Sequence, residues 1–311
     1  MSGFEVGIVL VTGQWGPERT VNRWADVRAM ALRAEAIGFD TIWVPDEIVW
    51  FPEDKPPLGL WDGISMAGAL AASTSRIGLG TWVMSALHRN PSILAKTAET
   101  LDEISGGRFI FGLGAGHTGP GQAHAFGLPE DRVFDRFEEA LQVIVPLIRE
   151  GRASFTGRFH AAHGAVQVPQ GPRPNGIPLM IGVLGPRGMR LAATYADIWS
   201  CYTEERVDLV EFGPRITALE AACADVGRDP KTIRRSAGLD AKPLEPKPDP
   251  NAAWIGGSPE QMADQIRTIR DAGYTRVELF PTPATIAGIE ACAPVLELLR
   301  ADVGSAEAAA D

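Results

Sequence analysis

Hydrophobic positions along the chain alternate between two patterns, short β-rich runs and longer stripes with helical spacing. Phe4 to Val11 is a short apolar run suited to a buried strand. From Thr20 to Ile37 the apolar residues Trp24, Val27, Ala31 and Ala34 recur at helical spacing, and Gly38 stands where a helix ends in a left-handed residue. Phe39 to Val44 follows as the next strand. The same grammar returns near the other end. Ser258-Pro259-Glu260-Gln261 supplies an N-cap, a first-turn proline and a capping-box glutamine; the helix stops at Gly273, and Tyr274 to Phe280 reads as a strand. Between these, strands are predicted at Ile77–Val83, Phe109–Leu113, Leu179–Gly182, Ile198–Cys201 and Ser236–Asp240. Helices are predicted at Trp61–Ala72, Pro91–Ile104 (capped by Asn90), Asp131–Arg149, Pro186–Tyr195 and Val207–Val226. A final helix, Ile286 to Leu299, completes eight strand–helix pairs.

Strict alternation of strand and helix implies a parallel sheet, because each crossover helix returns the chain to the same direction. Eight such units fit a closed α/β barrel, the (β/α)8 or TIM barrel, better than an open doubly wound sheet. The expected architecture is one barrel domain over residues 1–302 with a frayed, alanine-rich tail over 303–311. Two segments break the rhythm. Gly151 to Asn175, rich in Gly, Pro and His, reads as an insertion after the fourth helix. Lys242 to Asn251, with four prolines, reads as a surface loop after the seventh strand.

Composition narrows the function. Of 311 residues, 45% are hydrophobic and 22% charged, as in an ordinary globular protein. The net charge of −10 argues against a nucleic-acid surface, which needs clustered Lys and Arg. No run approaches the roughly 18 apolar residues that mark a membrane span, and the N-terminal stretch lacks the basic region of a secretory signal. A cytoplasmic location without membrane partners is expected. Cys201, Cys223 and Cys292 form neither a CxxC motif nor a disulfide framework and read as reduced, packed thiols. His160 and His163 sit in the insertion without a third ligand, so no metal site is expected there.

Gly114-Ala115-Gly116-His117-Thr118-Gly119 matches GxGxxG after a strand. A dinucleotide fingerprint needs its glycines to open directly into a helix and an acidic residue to end the next strand. Pro120 and Gly121 follow instead, and Asp135, Glu138 and Glu139 lie inside a helix. A wide loop at a barrel mouth fits better. No GxSxG, Walker A loop, HExxH or paired CxxC occurs.

In a (β/α)8 barrel the chemistry belongs at the carboxyl ends of the strands. Those ends present Thr12, Gln14 and Trp15; Asp46, Glu47 and Trp50; Ser85 and His88; then His117. Any one of these equally fits a helix cap or a loop hydrogen bond; the whole set together points to a site. The fifth loop differs, since Gly182-Val183-Leu184-Gly185-Pro186-Arg187-Gly188 leads straight into a helix. Exposed N–H groups, the positive end of the helix dipole and Arg187 suit a phosphate there, although a simple tight turn also fits.

At these residues the sequence resembles the bacterial luciferase-like family of flavin and deazaflavin oxidoreductases, over almost the whole chain. The likeness is strongest from Arg76 to His117, which holds Ile77-Gly78-Leu79-Gly80-Thr81, Asn90-Pro91, Leu101-Asp102-Glu103-Ile104-Ser105-Gly106-Gly107-Arg108 and Gly112-Leu113-Gly114-Ala115-Gly116. Arg136-Phe137-Glu138-Glu139-Ala140-Leu141, Gly185-Pro186-Arg187 and Ala196-Asp197 support it. Within the family, the actinobacterial-type members that use coenzyme F420 are the nearest likeness. The resemblance implies a ring-shaped cofactor at the barrel mouth beside Asp46, Gly114 and Gly116, with its phosphate at Gly182 to Gly188. It also implies a non-prolyl cis peptide at Trp82–Val83 backing the ring. The related sugar-phosphate dehydrogenases carry Asp-His where this chain has Asp46-Glu47, and a glutamate where it has His117, so a glucose-6-phosphate reaction does not carry over. Ile198 also stands where many relatives have glycine.

The resulting expectation is an F420-dependent oxidoreductase that moves a hydride between the cofactor and a small organic substrate. Glu47 and His117 are the candidates for the proton, with Asp46 beside them and Trp50 and Trp15 as apolar walls. An FMN-dependent monooxygenase is the alternative on the same scaffold, and a non-catalytic ligand-binding barrel is the alternative from another class. An aldolase-type barrel would need a Schiff-base lysine or metal set at a strand end, and neither is found. A homodimer is the default assembly.

Overall fold

Each apolar strand needs a helix to cover its outer face, and in the computed structural model that alternation closes on itself. Residues 3–16, 18–51, 55–116, 121–202, 212–245 and 254–308 are described, 303–308 by backbone only. The strands are β1 (Glu5–Val9), β2 (Thr41–Val44), β3 (Gly78–Thr81), β4 (Phe109–Gly114), β5 (Leu179–Gly182), β6 (Ile198–Tyr202), β7 (Arg234–Lys242) and β8 (Arg276–Pro281). Each pairs in parallel with its neighbours; β8 returns to β1 through Glu5↔Arg276 to Ile8↔Leu279, and β4 joins β5 through Leu179↔Phe111. The result is a closed barrel of eight parallel strands.

The covering helices are α1 (Trp24–Ile37), α2 (Gly63–Ser73), α3 (Pro91–Ser105), α4 (Val133–Glu150), α5 (Pro186–Tyr195), α6 (Phe212–Val226), α7 (Pro259–Asp271) and α8 (Ala293–Ala308). Their ends follow the punctuation read from sequence. Gly38 closes α1 at φ 97°, Asn90 Oδ1 accepts from Ser92 N at 2.9 Å, and Ser258 with Gln261 forms the capping box of α7. Among the described residues no helix is long and apolar enough to cross a membrane.

Several boundaries differ from the sequence reading. Thr20 and Val21 are not helical but pair with Gln14–Trp15 in a two-stranded ribbon, so α1 starts only at Trp24. The last predicted helix is two: Ile286–Ala291 and then α8, because Pro294 has no N–H with which to continue the first. Helix α8 runs on past Asp302 to Ala308. The Gly151–Asn175 insertion contains an antiparallel hairpin, Arg152–Thr156 with Ala161–Val166, in which His163 is exposed and His160 half-buried. Of the proline-rich loop after β7, residues 246–251 lie outside the described residues.

Apolar packing falls in two layers. The larger lies between strands and helices; the smaller, inside the barrel, holds Val9, Trp43, Ile110, Met180 and Ile198. Trp43 plugs the interior, and two neighbours make room by having no side chain. A Cβ on Gly80 would stand 2.1 Å from Trp43 Cζ3, and one on Gly7 2.5 Å from its Nε1. Below Trp43 the barrel floor is charged. Arg276 Nε donates to Glu278 Oε1 at 2.5 Å, Arg276 Nη1 pairs with Glu5 at 2.8 Å, and Ser236 Oγ donates to Glu278 Oε1 at 3.1 Å. Burial pushes the Glu278 carboxyl up to about 7, opposed by the Arg276 charge.

Candidate functional site

Packed below and covered by helices outside, the barrel is open for chemistry only at its carboxyl end. There a cavity of about 490 Å3 is lined by the strand-end residues Val11, Pro45, Glu47, Trp82, Val83 and Phe280. The β5 loop adds Gly182, Val183 and Leu184, and β6 adds Ser200 and Tyr202. Trp15, Trp50, Phe51 and Leu58 come from the loops above.

Asp46 and Glu47 are adjacent in sequence and differ in role. Asp46 is buried behind the wall, where its Oδ2 accepts from Ser85 N at 3.0 Å and Arg89 Nη1 at 2.7 Å and lies 3.3 Å from His88 Nδ1. His88 Nε2 is 3.3 Å from Gln122 Nε2, and Gln122 Oε1 accepts from Ile48 N and Val49 N at 2.9 and 3.1 Å. This network fixes the backbone on both sides of Glu47, whose side chain faces the cavity. Burial raises the Glu47 carboxyl above the usual carboxylate range; the neighbouring Asp46 charge adds to the rise and His88 opposes it.

The peptide Trp82–Val83 is cis. Val83 is seated on two glycines: a Cβ on Gly114 would stand 2.7 Å from its Cγ2, and one on Gly182 would stand 3.2 Å from its Cγ1. Gly114 therefore acts on the cavity through Val83 and does not itself line it. Gly116, at φ 103°, has room for no Cβ because Ser85 Oγ would be 2.5 Å away. Trp82 meets Tyr202 edge-on at 5.2 Å, and its Nε1 donates to Ser200 Oγ at 3.3 Å. Tyr202 OH donates to Asp240 Oδ1 at 3.2 Å, and burial raises the Asp240 carboxyl.

Residues 4–242 match the family of luciferase-like monooxygenases. The chain belongs to that family. Among family relatives, it is 30% identical over 223 residues to an F420-dependent glucose-6-phosphate dehydrogenase of Kineococcus radiotolerans, covering 69% of this chain and 64% of that one. It is 31% identical to a 5,10-methylenetetrahydromethanopterin reductase of Archaeoglobus fulgidus over 53% of this chain and 45% of that one. The chain thus spans about half to two thirds of the length of these relatives. In fold it is similar to an F420-dependent secondary alcohol dehydrogenase solved with an F420-acetone adduct: TM-score 0.79, 20% identity, 94% of this chain and 98% of that one.

Within this luciferase-like barrel the β5 loop divides the residues expected to hold a phosphate. Val183 O accepts from Trp199 Nε1 at 2.9 Å, and Gly188 packs on the Val183 side chain, so the loop is held from both sides. Gly185 caps α5 without a side chain and Pro186 follows at its first turn, leaving first-turn N–H groups for an anion. Arg187 is spent elsewhere. Its guanidinium pairs with Asp135 and Glu138 on α4, both at 2.6 Å, and lines a separate shallow depression. His117 lies outside the described residues. The sequence reading did not single out Tyr202, Ser200, Gln122, Arg215 or the wall residues Phe51, Leu58 and Leu60. Tyr202 stands one position past the predicted end of its strand and was open to the strand-end rule. Gln122 carries no comparable signal, because its role is set by a contact with the distant Ile48 and Val49.

Proposed function

We propose that this protein is an oxidoreductase dependent on the deazaflavin coenzyme F420, transferring a hydride between that cofactor and a small organic substrate. One observation carries the reading: Val83, backed by Gly114 and Gly182, lines the same cavity as an acid of raised proton affinity, Glu47. The residues fit such a group. Val83 offers an apolar surface for one face of a ring, and the start of α5, after the Val183 N–H that Ser200 O takes, offers backbone N–H groups to a phosphate. The names of the relatives and of the solved neighbour support F420 over FMN.

A bound reduced deazaflavin supplies a hydride, two electrons and a proton's mass, from a ring carbon. Glu47 supplies the rest for reduction of a carbonyl. As the new C–H bond forms and the C=O π pair moves onto oxygen, protonated Glu47 gives its proton to that oxygen and is left as carboxylate. In the reverse direction the carboxylate takes the hydroxyl proton as the hydride leaves carbon. Asp46, Arg89 and His88 hold the Glu47 backbone, and the apolar walls exclude water. Three buried cysteines, all free, support a reducing, cytoplasmic setting, and a homodimer is the proposed assembly, checked by light scattering.

Titration with F420 and with FMN in separate experiments, followed by turnover of Glu47→Gln, tests the reading. F420 binding retained with turnover reduced by about 10²–10⁴ is expected. Tight FMN binding with no F420 binding would transfer the assignment to a flavin monooxygenase.

A further inference from the structure

The cavity wall changes character around the barrel. On the β5–β6 side it is formed by the glycine loop, Ser200 and Tyr202, where the reading above seats the cofactor. On the β8–β1–β2 side it is closed by a small hairpin in which Val49–Trp50 pairs antiparallel with Leu58–Gly59. Both legs of that hairpin are tied to the barrel. Gln122 Oε1 takes the Ile48 and Val49 N–H groups at 2.9 and 3.1 Å, Gln14 Oε1 takes Gly59 N at 2.9 Å, and Leu60 bridges to Gly13. Trp50, Phe51, Leu58 and Leu60 are thereby fixed as one apolar face of the cavity. Trp15 and Phe280, packed on each other with ring centroids 4.8 Å apart, extend it.

Polar groups on this side are few. Gln14 and Gln122 spend their carbonyl oxygens on the hairpin backbone, which leaves Glu47 as the one ionisable group among the described residues there. The one cation among the described lining residues, Arg215, comes from α6 on the opposite side and is hydrogen-bonded to Cys201. A phosphate or carboxylate against the hairpin would lose its water and find no cation among the described residues on that side, which is unfavourable. An apolar body gains by displacing water from Trp50 and its neighbours.

We propose that the β8–β1–β2 half of the cavity is the substrate compartment for an uncharged apolar molecule, a neutral aryl or alicyclic ketone or the corresponding secondary alcohol. Its ring lies against the Trp50–Leu58 hairpin and its single oxygen reaches Glu47. The proposal rests on the oxidoreductase reading for the identity of the reacting group and on the hairpin for the class of molecule.

Calorimetric titration of the F420-loaded protein with acetophenone, benzoate and glucose 6-phosphate tests it by binding rather than by turnover. Acetophenone is expected to bind at least about tenfold more tightly than either anion. Trp50→Ala is expected to weaken acetophenone about tenfold and Trp50→Phe to retain most of the affinity. Trp50 is 48% exposed, so its replacement leaves the fold in place, as circular dichroism will confirm. Benzoate or glucose 6-phosphate binding as tightly as acetophenone overturns the proposal, as does acetophenone binding indifferent to Trp50→Ala. The same titrations without F420 separate the two readings. A protein that takes no F420 yet keeps the acetophenone preference and its Trp50 dependence removes the oxidoreductase reading and leaves the compartment standing.

Discussion

Gly114→Ala is a sharp test of how the cavity wall is built, because its effect is steric alone. Gly114 is in β4 with an ordinary strand conformation, so alanine suits the backbone, and the added Cβ would stand 2.7 Å from Val83 Cγ2. Carbon atoms pack at about 3.5–4.0 Å, so Val83 must yield by roughly 1 Å. On its other side Val83 faces Gly182, which has no side chain, and beyond it the cavity. Overpacking by one methyl costs about 1–3 kcal/mol, which lowers Tm by roughly 1.5–5 °C in a chain of this size. The displacement is directed into the space assigned to the ring, so F420 affinity falls by about tenfold or more. Val83→Ala combined with Gly114→Ala removes Cγ2, the atom that clashes. The double variant is therefore expected to be no less stable than Val83→Ala alone, a favourable coupling of about 1–3 kcal/mol. Thermal unfolding and F420 titration of the four proteins of this cycle provide the assay. Wild-type Tm and F420 affinity in Gly114→Ala, or penalties that simply add in the double variant, would refute the reasoning.

Other expectations follow from the same geometry. Asp46→Ala leaves Arg89 with Asp62 alone and takes the acceptor from the Ser85 N–H, and is expected to destabilise by about 1–3 kcal/mol in denaturant unfolding. Arg187→Ala should keep F420 affinity within about twofold of wild type, because Asp135 and Glu138 hold its guanidinium at the surface; a tenfold loss would return Arg187 to the phosphate. For Glu278 the carboxyl rises from 4.5 to about 7 on folding, so the native state binds its proton more tightly. That contribution is present below pH 4.5 and is lost as pH rises to about 7, by up to roughly 3 kcal/mol. Glu278→Gln should flatten this part of the stability–pH curve, whatever its own stability; an unchanged slope in urea unfolding between pH 5 and 7.5 would reject the assignment.

The features legible in the sequence are those set by local rules. Strand and helix alternate with unmistakable periods, and Gly38, Asn90 and Ser258 mark helix ends through hydrogen bonds made within a few residues. What escaped depends on contacts between segments distant in the chain. Thr20 and Val21 have no helical defect of their own; Gln14 and Trp15 capture them into a ribbon. Val49, Trp50, Leu58 and Gly59 look like loop residues until Gln14 and Gln122 tie them down. Arg187 follows a good phosphate loop in sequence, but a guanidinium goes to the nearest carboxylates, and two face it from α4.

Asp46 and Glu47 show how much more a strand end can say when depth is considered as well as position. Consecutive residues leaving an extended strand point to opposite sides. Two adjacent acids after β2 therefore cannot both face the cavity; one must turn into the wall, where an unpaired carboxylate is not tolerated. Arg89 and His88, just beyond β3, are the nearest groups able to pair with it, and they engage Asp46. Glu47, which makes no ion pair among the described residues, is the acid of the two whose proton affinity rises and the one the cavity exposes. The division of labour follows from the alternation of side chains and the location of the Arg89 guanidinium. The same alternation is what supports Glu47 as the proton-handling group in the proposed reaction.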